Sequence, residues 1–121
     1  MTVNTEILLS NVVHGTPSGN YDGSSQDWSS DPVKAAAYYR GRGGVQTVRF
    51  DINAFEGVIH IDATLDDDPD SADWFEVDMF GDLNVATTTY YTSTITGNFT
   101  WLRARVQGFA TGTINTVSVT Y

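Results

Sequence analysis

The chain has 121 residues, with six Lys or Arg against fifteen Asp or Glu and no cysteine, so its formal net charge is −9. That length is one domain, 1–121, able to bury a core without metal or disulfide staples. The acidity excludes a nucleic-acid partner, which needs Lys and Arg to neutralise phosphates, and the lack of cysteine excludes thiol chemistry and zinc–thiolate sites.

Glu6 to Val13 reads as a first strand, although its apolar run is too continuous to fix the inward face. A long polar loop follows, 14–31, rich in Gly, Ser, Asn and Asp, with Tyr21 and Trp28 as anchors that fold back onto the sheet. Residues 33–40 admit two readings. Asp31-Pro32 and three alanines favour a helix, whereas the paired tyrosines and the glycine-rich stop at Gly41–Gly44 favour a strand over Lys34–Arg40, which is the expectation taken.

Val45 to Ile52 alternates, with Val48, Phe50 and Ile52 inward, and Asn53–Gly57 is expected to turn. Val58 to Leu65 alternates again, with Ile59, Ile61, Ala63 and Leu65 inward and His60 and Asp62 on the opposite face. After the acidic loop Asp66–Asp73, Trp74 to Met79 places Phe75, Val77 and Met79 inward. Gly81–Asn84 reads as a break, and Tyr90–Thr96 as another strand. The last stretch reads as a hairpin. Thr100–Val106 has Leu102, Ala104 and Val106 inward, Gly108 and Gly112 bracket a turn, and Ile114–Tyr121 has Val117 and Val119 inward. Short strands with turn signals every eight to twelve residues describe an all-β antiparallel sandwich.

Chemistry-bearing patterns are few. Asp66, Asp68 and Asp70 have the alternate spacing of a calcium loop, but the sixth-position glycine is missing and Val77 stands where a bidentate Glu is required. Glu56 and Glu76 sit in no recognisable hydrolase context. His14 and His60 accompany no G-x-S-x-G, and Gly41–Gly44 lacks the lysine and helix of a phosphate loop. The expectation is a non-enzyme with no cofactor and no metal. No apolar run is long enough to span a bilayer, and Met1–Thr5 is not the basic start of a signal peptide, so synthesis in a cytosol and no membrane partner are expected.

Two surfaces suit binding. Trp101, Arg103 and Arg105 leave one strand on the side opposite its core residues, and aromatics with Arg are favoured at interface centres. They are the candidate protein contact, read against an intrachain ladder in which both arginines pair with Asp or Glu on neighbouring strands. Trp28, Trp74, Tyr90 and Tyr91 are the candidate platform for stacked sugar rings.

Three strings carry a family resemblance: Asp67–Val77 (D-x-P-x-x-x-D-W-F-x-V), Gly97–Val106 (G-N-F-x-W-L-R-A-R-V) and Thr111–Tyr121 (T-G-T-I-N-x-V-x-V-x-Y). Together they resemble small virion structural proteins of tailed marine bacteriophages, particularly contractile-tailed cyanophages. The resemblance runs from Val45 onward and leaves out the 14–31 loop. It implies a virion component with a jelly-roll-like sandwich, not an enzyme, and it brings no functional residues. The function expected is a virion structural or decoration protein that forms a homo-oligomer and attaches to other virion proteins. The runner-up from the residues themselves is a carbohydrate-binding module engaging a glycan.

Overall fold

The computed structural model describes residues 5–38 and 44–121. Its strands are β1 (Thr5–Val13), β2 (Trp28–Ser29), β3 (Val33–Lys34), β4 (Val45–Thr64), β5 (Phe75–Thr96) and β6 (Trp101–Thr120), with a 3₁₀ turn at Ala36–Tyr38. All pair antiparallel in one sheet ordered β1-β6-β4-β5. β1 borders β6 at Thr113–Thr120, and β2 and β3 continue that border at Trp101–Val106. The all-β class expected from alternation is the class observed. Among the described residues no helix is long and apolar enough to cross a membrane.

The three long strands are folded over. β4 has 20 residues, which would extend roughly 65 Å if straight. Yet its first residue pairs with Thr96 and its last with Trp101, and the connection between those partners reaches at most about 18 Å. Both ends of β4 are therefore close together. The first layer holds β1, the end of β6, the start of β4 and the end of β5; the second holds β2, β3 and the remaining halves. Rings join the layers: Phe50 meets Phe80 at 5.4 Å, and Phe80 stacks on Tyr91 of its own strand at 4.7 Å. The Tyr121 hydroxyl donates to the Lys34 carbonyl at 2.7 Å, closing the far end.

Bulges make the corner. β4 shifts register between Ile52 and Gly57, β6 opposite it and β5 near Gly81. Gly112 has φ 93° and lies against the Ala54 backbone, and Gly81 has φ 121° and lies against the Gly57 carbonyl. A Cβ at either would collide with main chain, so only glycine allows the approach. The expected turns at Asn53–Gly57 and Gly108–Gly112, and the break at Gly81–Asn84, are thus bends inside continuous strands. The C-terminal hairpin is corrected with them: Thr100–Val106 and Ile114–Tyr121 lie along one strand and do not pair.

The core follows the predicted alternation for Val48, Phe50, Ile52, Ile59, Ile61, Ala63, Leu102, Ala104, Val106, Val117 and Val119, all buried. Three residues expected inward are exposed: Leu65, Phe75 and Met79. Leu65 lies beyond the end of β4. In β5 the register shifts between the Ile61↔Asp78 and Asp62↔Glu76 pairs, so Val77 is an extra residue and the side chains from there to the next irregularity, between Asp82 and Thr87, change face. Met79 then sits opposite His60 on the outer face, and Phe80 takes the inward place opposite Ile59.

The 33–40 strand is also corrected. Only Val33–Lys34 pair, and Ala36–Tyr38 form the 3₁₀ turn; Tyr39 and Arg40 lie outside the described residues. Buried Gln46 holds the turn, its Oε1 accepting from the Ala36 amide at 3.2 Å and its Nε2 donating to the Ile95 carbonyl at 3.0 Å. The 14–31 loop does fold back: Tyr21 is buried, with its ring 5.1 Å from both Trp28 and Phe109.

Within that loop Asp22 accepts from the amides of Ser24 and Ser25 and from the Ser25 hydroxyl. The Ser24 amide first, then the Ser25 donors, hold its carboxyl down at about 2, against an ordinary 3.8. A depressed carboxyl stabilises the turn above its ordinary pKa, and the contribution is lost as pH falls toward the folded value. An NMR titration should give an Asp22 midpoint near 2, with the Ser24 and Ser25 amides losing protection in the same range. A midpoint at the ordinary carboxylate value would show that the turn is not held.

Candidate functional site

The sequence places Trp101, Arg103 and Arg105 on the face of β6 opposite Leu102 and Ala104, and the register decides what they meet. Arg103 lies beside Asp62, Arg105 beside His60, and Glu76 beside Asp62 from the other flank. The outer face of the second layer therefore gathers two acids, a histidine and two arginines across three strands.

Asp62 is the centre of the cluster, its side chain only 4% exposed. A buried carboxylate is tolerated only when paired and hydrogen-bonded. The Arg103 Nε donates to its Oδ2 at 3.3 Å, and Arg105 donates to both oxygens, Nε to Oδ2 at 3.0 Å and Nη2 to Oδ1 at 3.4 Å. Arg105 Nη2 also reaches Glu76 at 3.5 Å. Glu76 contacts His60 Nδ1, and His60 Nε2 faces Gln107 Oε1 at 2.8 Å. The Arg103 guanidinium lies 4.5 Å from the centre of the Trp74 ring, a cation–π contact that also covers the cluster. Trp101 donates its indole N–H to the Asp67 carbonyl at 3.0 Å and meets Tyr38 edge-on at 5.3 Å.

Of the two arrangements open for this strip, the intrachain ladder is present. Its arginines are committed to Asp62 and Glu76, so the face is a brace across β5, β4 and β6. Alternation alone places His60 and Asp62 on the non-core face but does not place them opposite the arginines. The signal was the shared parity of a two-acid, one-histidine set and a two-arginine strand; the missing step was register.

The four aromatics of the candidate sugar platform occupy separate places. Tyr90 and Tyr91 are successive strand residues on opposite faces: Tyr91 stacks on Phe80, and Tyr90 lies under the Arg49 guanidinium at 5.7 Å. Trp74 carries Arg103 at the start of β5, and Trp28 packs on Tyr21 and Phe109 in the second layer. One of them borders a recess: Trp28, with Asp27, Ser29, Arg105 and Gln107, lines a shallow cleft of about 340 Å³.

A separate feature is the border of the sheet formed by β5. Among the described residues β5 pairs with β4 alone, so its other side is an open edge of the sheet; Asp78 and Asp82 accept from the Met79 and Asn84 amides in its first part. Tyr90 is 60% exposed there, and Phe75, Met79, Leu83, Val85 and Tyr91 are exposed beside it. Glu76, Asp78 and Asp82 guard the first part, whereas Thr87–Thr96 contains no charged residue. Open edges are normally blunted by charge, proline or cover.

Among the described residues no group of three or more His, Asp or Glu is placed to hold a metal ion. No protein-family model matches the chain, and no curated protein matches it significantly in sequence.

Proposed function

We propose that this chain is a structural or decoration protein of a phage particle, working by self-assembly and by attachment to other virion proteins. The observation that carries the reading is the open β5 border, whose second half is uncharged and exposes Tyr90 and Tyr91. A strand left unpaired and unguarded is a template for another chain. The resemblance of the 67–77, 97–106 and 111–121 strings supplies the virion setting and the jelly-roll-like form. The acidic surface keeps such a protein soluble at high concentration. Light scattering over a dilution series tests self-assembly, and mass spectrometry of purified particles tests placement in the virion. A species that is monomeric at every concentration and missing from particles would overturn the reading.

The carbohydrate-binding reading is second, and the Trp28 cleft favours it. An indole wall beside a guanidinium, an amide, a hydroxyl and a carboxylate offers both the stacking surface and the mixed donors and acceptors that sugar hydroxyls need. Polysaccharide binding abolished by Trp28→Ala, in a chain that stays monomeric, would place this reading first.

A further inference from the structure

Resting on the self-assembly reading, we propose that two copies of this chain pair β5 to β5 across a two-fold axis, antiparallel and centred on Tyr91, so that the sheet continues from one copy into the next. The partner is a second copy because the exposed border is self-compatible in charge. Two bodies of net charge −9 repel each other, and Thr87–Thr96 is the part of the β5 edge where strand meets strand with no carboxylate opposed. Phe75–Asp82 is excluded as the seam by its three acids.

The centre follows from the faces. For the sheet to continue, outer residues must oppose outer residues, which restricts the two-fold to a residue rather than a gap between residues. Three centres remain near the middle of the run. On the outer face, Thr92 lies beside Arg49, and Tyr90 beside Asp51. Centring on Tyr90 aligns the Asp51 row with its own copy, and centring on Thr92 aligns the Arg49 row with its own copy. Centring on Tyr91 alone aligns Arg49 of each copy with Asp51 of the other. Over three strand spacings, about 14 Å, this selects the register rather than supplying the affinity.

Two further observations fit that centre. Arg49 has no carboxylate within ion-pair distance among the described residues, and its Nε is buried without a partner. On the inner face, Tyr91 already stacks on Phe80 and lies 6.2 Å from Phe50, so a Tyr91–Tyr91 pair extends an existing aromatic row across the seam.

Because the chain has no cysteine, single-cysteine variants report the register cleanly. Tyr90→Cys, Tyr91→Cys and Thr92→Cys are each oxidised, and wild type and Thr92→Glu are compared by light scattering. The expected result is rapid covalent dimer from Tyr91→Cys alone, and at least tenfold weaker association of Thr92→Glu. Its new carboxylate sits beside its own Arg49, which keeps the fold, but faces the Asp51 row of the second copy. If wild type associates while Tyr90→Cys or Thr92→Cys crosslinks faster, or while Thr92→Glu associates as before, the Tyr91-centred seam is overturned and self-assembly stands; if wild type associates and none of the three crosslinks, β5-to-β5 pairing itself is overturned. A wild type that never associates overturns both.

Discussion

Replacing Arg103 and Arg105 together by alanine is expected to lower stability by about 3–5 kcal/mol, the cost of leaving a buried charge without its partners. Asp62 carries that cost. Its side chain is almost fully enclosed, and both of its cations come from β6. Against the ~5–15 kcal/mol that holds a typical domain, the double variant loses much of its margin. Arg105→Lys keeps the charge but not the planar fork that spans both Asp62 oxygens, so it should fall between wild type and Arg105→Ala. Denaturant midpoints measure all of these. A double variant that unfolds where wild type does would mean that Asp62 is solvated and that the brace contributes nothing.

Phe109→Ala should be comparably damaging, at about 3–5 kcal/mol, with a different signature. The Phe109 ring is fully buried and meets His14, Tyr21, Trp28 and Phe55. It ties the 14–31 loop to the corner where β4 and β6 bend. Its removal should release that loop, so amide exchange at Ser18 and Tyr21, which bond to each other, should accelerate well before global unfolding. Ile61→Ala deletes a similarly enclosed side chain near the end of β4 and should cost about 2–5 kcal/mol without loosening the loop selectively. Equal exchange in the two variants would show that the loop is held by its own turns.

Much of the fold was legible because alternation is a local signal. Val48, Phe50 and Ile52, or Leu102, Ala104 and Val106, declare a strand and its inward face with no knowledge of neighbours. The corner was not legible, since glycines at positive φ serve tight turns and bulges alike. Gly108 and Gly112 looked like the ends of a hairpin loop, yet both lie within β6, and only the pairing of β4 with both halves of that strand tells them apart. Met79 departs from its expected face for a related reason: one extra residue at Val77 reverses the parity, and nothing local marks it. The brace was half visible, as His60, Asp62, Arg103 and Arg105 all fall on non-core faces. Their meeting depends on register, which depends in turn on the bulges.

The border between β1 and β6 has a consequence for how the molecule forms. Thr5 sits opposite Thr120, and their hydroxyls bond at 3.0 Å across 115 residues of sequence. During synthesis β1 emerges first and finds no partner until β6 has followed it, so the sheet cannot be completed strand by strand as the chain grows. Nearly all of its pairing is non-local, which places folding toward the slow end, roughly milliseconds to seconds, for a chain of this size. Until β1 docks, the C-terminal half of β6 is a second open border, and chaperone dependence or inclusion-body formation during rapid expression would originate there.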